Sequence, residues 1–279
     1  MLLYGGNRVG KTTLACTFPK PIAMFSFEPN KTGGASSVIS PKYEGVKLFR
    51  IKYRKDQYDD DSVFEGTSQA MQLVEELVHD KYFKTVIVDS ATSMQDLYLQ
   101  EILKVDKLPE QLKVGRDGVS GDDYKKRSEL TKEGLRPFIN LRKNVIVIAK
   151  ERDHNPPKEE KINPNTGKIQ PDMRPKALRG VGTNSYFAAD LGSATALWLN
   201  DACDIICRLF VTDETITQTV DMGELGTQES IVKTGRQVNR LLTKKTPPYE
   251  AGLRTPNKNC PDYIDNAVGD DIINIVRGE

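Results

Sequence analysis

Unbroken apolar runs alternate with amphipathic stretches along most of the chain. The run "LLY" leads into glycines and reads as the end of a buried strand, and "GKTTLACTF" after it starts a helix. "PIAMFSFE" is a second buried strand, ending at Glu28. "NKTGGASS" is a loop, "VKLFRIKY" a third strand and "DQYDDDS" an acidic loop. From Thr67, "TSQAMQLVEELVHD" sets Ala70, Val74, Leu77 and Val78 at helical spacing behind a Thr or Ser cap. "KTVIVDS" holds Val86, Ile87 and Val88 in succession, the pattern of a parallel strand covered on both faces. A helix is predicted from Thr92 to about Val105, a loop over "KLPEQLKVGRDGVSGDD", a helix over "YKKRSELTKEGLRPFINLRK" and a buried strand at "NVIVIAK". Residues 151–186 carry prolines and glycines with almost no apolar periodicity, which predicts a long loop. "DLGSATALWLNDA" reads as a helix and "DIICRLFV" as a strand; "TITQTVD" and "ESIVKTGR" read as short antiparallel strands before a polar C-terminal segment.

This order predicts an α/β fold, with a mainly parallel sheet, helices on both faces and antiparallel strands added near the C-terminus. The expected division is a core over residues 1–235, with mobile loops at 108–122 and 151–186, and a basic, partly disordered segment at 236–279. A chain of 279 residues with 38% hydrophobic residues buries a sizeable core. Forty Lys and Arg against 39 Asp and Glu give a net charge of +1, so global charge does not point to nucleic acid; only local clusters can. No apolar run reaches the length of a membrane span, and "MLLYGG" is too short for a signal peptide. Cys16, Cys203, Cys207 and Cys260 form no CxxC pair and are expected as reduced thiols of a cytosolic protein. His79 and His154 stand alone and are read as surface residues.

Gly5, Gly6, Asn7, Arg8, Val9, Gly10, Lys11 and Thr12 match G-x-x-x-x-G-K-[ST], with Thr13 following. The glycines let backbone N–H groups turn inward around phosphate oxygens. The next helix points its N-terminus at the same charge. Lys11 is placed to reach the β- and γ-phosphates, and Thr12 to ligate Mg²⁺. Asp89, ending "TVIVD", supplies the second metal ligand at the carboxyl end of a buried strand. Glu28 ends the strand after the first helix. If that strand neighbours the one bearing Asp89, Glu28 is either the carboxylate that orients or deprotonates the attacking water or a solvated strand-end residue. Lys150 or Glu151, after "NVIVIA", is a candidate γ-phosphate sensor or a solvated charge. No guanine-recognition signature is seen, which favours ATP.

With "GGNRVGKTT", "MFSFE", "TVIVDS" and "NVIVIAKERDH", residues 2–211 resemble RecA-like P-loop ATPases. They are similar in particular to phage-encoded nucleotide-binding proteins that assist single-strand annealing and recombination. The resemblance implies ATP and Mg²⁺ as cofactors and a catalytic carboxylate at Glu28; in many AAA-type relatives that carboxylate follows the metal-binding Asp, where this chain has Ser90. It also implies two DNA-contacting loops. Their slots hold Arg116, Lys125 and Lys126 in the first and Arg174, Lys176 and Arg179 in the second, with an ordinary solvated loop as the alternative. Such ATPases complete their site with a basic residue from the next protomer, for which Arg236, Arg240 and Lys244 are candidates; a nucleic-acid patch or a solvated tail are the other readings. The short first strand suggests truncation relative to relatives, and no separate DNA-binding domain is seen, which points to an accessory ATPase.

The resulting expectation is a Mg²⁺-dependent ATPase that acts as a homo-oligomer on single-stranded DNA, working with a single-strand DNA-binding protein and without a membrane. If phage-encoded, it belongs in the cytoplasm of a bacterial host. The alternatives are a P-loop nucleotide kinase or other phosphotransferase, and an assembly module that ATP switches without hydrolysis.

Overall fold

The apolar runs become strands of one mixed sheet. The computed structural model describes residues 1–28, 43–53, 63–106, 108, 119–153, 187–221, 227–254 and 260–278. The strands are Leu2–Gly5 (β1), Ile22–Ser26 (β2), Val46–Lys52 (β3), Val63–Glu65 (β4), Thr85–Asp89 (β5), Asn144–Asp153 (β6), Phe187–Ala189 (β7), Ile205–Asp221 (β8), Thr227–Leu242 (β9), Gly252–Leu253 (β10) and Tyr263–Asp265 (β11). The helices are Lys11–Ala15 (α1), Gly66–His79 (α2), Ala91–Leu103 (α3), Gly121–Ile139 (α4), Ser193–Ala202 (α5) and Gly269–Arg277 (α6).

The sheet order is β11-β9-β8-β1-β6-β5-β2-β3-β4. From β8 to β4 all neighbours are parallel. β9 runs antiparallel to β8, β11 to β9, β10 to β8 and β7 to β6. Alternate residues of the central strands feed two cores. Tyr4, Phe25, Val88 and Val147 pack with Val74 of α2, Met94 of α3, Phe138 of α4 and Leu199 of α5. Leu3, Met24, Ile87 and Ile148 face the other way, with Leu14 of α1 and Ile272 of α6. Burial on both faces explains why the runs are unbroken rather than alternating.

β1 holds only four residues, yet it is clamped between β6 and β8 along nearly its whole length. The Met1 ammonium adds a bond to the Val145 carbonyl at 2.8 Å.

Several expectations change. Ser120 and Asp123 form a reciprocal capping box, so α4 begins at Gly121, inside the stretch read as loop. Val78 is 59% exposed, while Ala70, Val74 and Leu77 turn inward. Glu151–Asp153 extend β6 to pair with β7, and residues 154–186 lie outside the described residues. "DIICRLFV" and "TITQTVD" are one strand, because nothing between them breaks an extended chain; the register with β9 shifts only between Asp213 and Thr215. β9 runs through the 235/236 division, and the segment after it carries β10, β11 and α6. No described helix is long and apolar enough to cross a membrane.

α3 and α4 touch at Gly134, where a Cβ would lie 2.0 Å from the Tyr98 hydroxyl oxygen and 2.7 Å from Met94 Cε. Both neighbours are buried. Gly134→Ala is expected to destabilise by about 1–3 kcal/mol through overpacking. Better helix propensity returns about 1 kcal/mol of that. A thermal melt should fall by a few degrees (~2–4 °C per kcal/mol); an unchanged melt would show that the helices part freely.

Candidate active site

The loop from β1 to α1 is shaped by close backbone approach. An ideal Cβ on Gly5 would lie 2.1 Å from the Leu209 carbonyl oxygen of β8. Gly10 caps α1 at φ 90°, a conformation that favours glycine. Arg8 also takes a positive φ, 61°. Lys11 donates to the carbonyl oxygens of Gly5 at 2.9 Å and Gly6 at 2.6 Å, which folds its ammonium over the loop. Burial pushes its pKa down, against the pull of Asp89 and Glu28. Thr13 accepts a long bond from the Tyr43 hydroxyl at 3.5 Å.

Thr12 Oγ1 donates to Asp89 Oδ2 at 2.9 Å. This joins the loop to the end of β5, across the intervening β6. Asp89 is 4% exposed, and burial raises its pKa to about 6 despite the Thr12 bond; the Glu28 charge raises it further and Lys11 opposes. A hydroxyl and a carboxylate side by side are hard oxygen donors. They are what Mg²⁺ takes from a protein when phosphate and water supply the rest. A buried carboxylate short of positive charge fits the same ion. Thr12 and Asp89 would hold it, and the bound ion would offset phosphate charge.

β2 lies next to β5, with Ser26 opposite Asp89. The Phe27 amide donates to the Asp89 carbonyl at 2.8 Å, which carries Glu28 to the same edge. Glu28 Oε1 accepts from Ser93 Oγ at 3.2 Å and lies 3.4 Å from Ser90 Oγ. Ser90 is also the N-cap of α3, accepting from the Ser93 amide at 3.2 Å. Its single hydroxyl proton serves either Glu28 or Ser93 Oγ, 3.0 Å away. The Lys52 ammonium donates to the Glu28 carbonyl, and burial pulls the Lys52 pKa down to about 8. Lys150 pairs in register with Gly5, and its amide donates to Thr92 Oγ1 at 3.1 Å. Its charge lowers the pKa of both Lys11 and Asp89.

A family model described as an AAA domain matches residues 1–255. The chain belongs to that family. No curated protein matches the chain. The AAA domain is an ATP-binding P-loop NTPase, a class whose activity is ATP hydrolysis.

The AAA domain brings Lys11, Thr12, Asp89, Glu28 and Lys150 to one sheet edge. Glu151, the alternative to Lys150, is committed to Arg208 through two bonds of 2.5 and 3.1 Å, and Arg208 lies 3.7 Å from the Tyr249 ring centroid. Lys125 and Lys126 are exposed on the first turns of α4. Arg116, Arg174, Lys176 and Arg179 lie outside the described residues. Arg240 holds Asp265 at 2.6 and 2.8 Å, and Lys244 holds Asp262 at 2.7 Å, so these two cations are engaged within the chain. Arg236 is exposed on β9 and makes no described ion pair.

Sequence reasoning missed three contributors. Leu209 and Asn239 press on the loop from β8 and β9, Asn239 lying 3.4 Å from where a Cβ on Gly10 would stand. Ser93 had one signal, the hydroxyl-rich "DSATS" at a helix start. Ser93→Ala removes the shorter bond to Glu28. It is expected to lower the turnover rate about tenfold with ATP affinity unchanged, since one hydrogen bond to a charged group contributes ~1.5–3 kcal/mol. Ser93→Thr, which keeps the hydroxyl, should recover most of it; equal loss in both variants would mean a packing effect.

Proposed function

We propose that this AAA domain is a Mg²⁺-dependent ATPase of the RecA-like kind that binds single-stranded DNA and assists annealing or homologous recombination as an oligomer. The observation that carries the reading is the placement of Glu28 beside Asp89 by β2, with β6 between β1 and β5. In the proposed step, water attacks the γ-phosphorus and gives a proton to Glu28. The bond to the β-phosphate oxygen breaks, leaving ADP and phosphate. Lys11 offsets charge on the phosphates and Lys150 senses the γ-phosphate.

The DNA assignment is supported by the exposed Lys125 and Lys126 at the start of α4, whose other end leads into the amino end of β6. Their N-terminal turns therefore lie toward the sheet edge that carries Lys11 and Asp89. Arg116, Arg174, Lys176 and Arg179 are assigned the same role. Arg236 is the favoured residue for a neighbouring protomer's site, because Arg240 and Lys244 are already paired. A single-strand DNA-binding protein is the proposed partner.

The deciding experiment measures ATP hydrolysis with and without single-stranded DNA at low salt, with particle mass in each nucleotide state. Stimulation by DNA, lost in Lys176→Ala/Arg179→Ala, is expected. ATP hydrolysis without any DNA binding would sink the DNA reading and leave the ATPase. Transfer of phosphate to a small acceptor would instead favour a kinase.

A further inference from the structure

The amino ends of β5 and β6 lie on the edge of the sheet opposite Lys11 and Asp89. There the turn after α2 faces the turn after α4 across an open cleft of about 830 Å³. Lys81, Lys84, Arg142 and Lys143 line it.

Lys143 and Asp80 build the wall. The Lys143 ammonium donates to the carbonyl oxygens of Asp80 at 2.6 Å and Phe83 at 2.8 Å and lies 3.7 Å from the Asp80 carboxylate. That carboxylate also accepts from the amides of Tyr82 at 3.2 Å and Phe83 at 2.9 Å. Asp80 is therefore spent on the turn and on Lys143. Lys81, Lys84 and Arg142 remain exposed, with no ion pair among the described residues. Three unopposed cations in one cleft stand out in a chain of net charge +1. Glu75 and Glu76, exposed near the end of α2, do not line it.

Tyr82 lies beside the cleft rather than in its lining, between the lining residues Lys81 and Phe83, and is 65% exposed. Its ring meets Phe83 edge-on, with centroids 5.1 Å apart and planes at 82°. Phe83 in turn packs against the core. The exposed ring is thus propped in place, and a planar ligand stacking on it would pay little ordering entropy.

We infer that this cleft and the exposed Tyr82 ring beside it form a second binding surface for single-stranded nucleic acid, with a base stacked on Tyr82 and the neighbouring phosphates taken by Lys81, Lys84 and Arg142 in the cleft. An aromatic face set among cations is the arrangement that binds single strands without reading sequence. The concave shape favours a strand over a flat lipid surface. The inference does not depend on the nucleotide chemistry. It shares only the ligand class with the proposed function, whose DNA contacts lie at the other edge.

The test is fluorescence anisotropy of the full chain with a labelled oligothymidylate of about twenty nucleotides, across a salt series. Lys81→Ala/Lys84→Ala/Arg142→Ala should weaken binding and flatten the salt dependence, by about 2 in the log–log slope for three lost contacts at ~0.7 each. Tyr82→Ala should weaken binding about tenfold, and Tyr82→Phe should restore it. Basal ATP hydrolysis should stay unchanged in all three, which also reports that they fold. If the wild type binds and these variants bind equally well, with loss confined to Lys176→Ala/Arg179→Ala, the second surface is overturned and the DNA reading of the loops stands. If the wild type binds no oligonucleotide at low salt, both fall. Loss of binding to anionic vesicles alone in the triple variant would also overturn it, in favour of a membrane-facing role.

Discussion

Glu28→Gln should bind ATP as the wild type does and hydrolyse it about 10²–10⁴-fold more slowly, the contribution of a positioned general base. Glutamine keeps the shape and an oxygen that Ser93 can still donate to, so the 3.2 Å contact survives. What it loses is the capacity to take a proton. The variant also removes a negative charge that raises the Asp89 pKa. The Thr12–Asp89 pair is therefore kept, or slightly strengthened, and nucleotide binding has no reason to fall. The measurement is single-turnover hydrolysis beside an equilibrium ATP titration. Near wild-type turnover would leave Glu28 a solvated strand-end residue and move the search to another carboxylate. Loss of binding together with turnover would show that Glu28 shapes the pocket rather than the chemistry.

Gly5→Ala is expected to be the most damaging single-methyl change in the nucleotide loop. The added carbon would sit 2.1 Å from the Leu209 carbonyl oxygen and 3.3 Å from Val9 Cγ2. Leu209 is backbone in β8, directly after the residues that pair with β1, so it cannot step aside as a side-chain tip can. Either β1 parts from β8 or the loop is displaced. The expected loss is at the upper end of overpacking, about 3 kcal/mol or more. That lowers the melting temperature by on the order of 10 °C in a chain this long, and ATP affinity falls with it. Gly6→Ala is the control: its nearest neighbour would be Val9 Cγ1 at 3.7 Å, an ordinary contact. Equal melts for the two variants would refute the argument.

The parts of the site carried by short, local signals were legible in the sequence. The loop from Gly5 to Thr12 is contiguous, and Asp89 and Glu28 each close an apolar run, so their edge of the sheet followed once the strands were parallel. The adjacency of β2 and β5, on which Glu28 depended, is a pairing between distant segments that the sequence left conditional. Local polarity misled in three places. Gly121 and Asp122 looked like loop because the cap at Ser120 lies in a charged, glycine-containing stretch. The hairpin β8–β9 read as separate short strands because much of it lies exposed, with Ile216 and Ile231 facing solvent, and only the ladder from Arg208 to Asp221 shows it as continuous. The C-terminal segment looked like a tail because its cations are conspicuous, whereas their partners Asp262 and Asp265 come some twenty residues later. The Ser93 contact with Glu28 joins two strand-end turns and leaves no periodic trace.

The clamping of β1 also bears on when the site comes into being. Leu2 pairs with Val147 on one side and Ile206 on the other. The phosphate loop directly follows β1, yet both strands that aim it come from far along the chain. Contacts of such long sequence separation form slowly, after much chain entropy has been lost. ATP therefore finds its loop shaped only once β6 and β8 have docked on β1, and nucleotide binding reports assembly of the sheet's centre from distant segments.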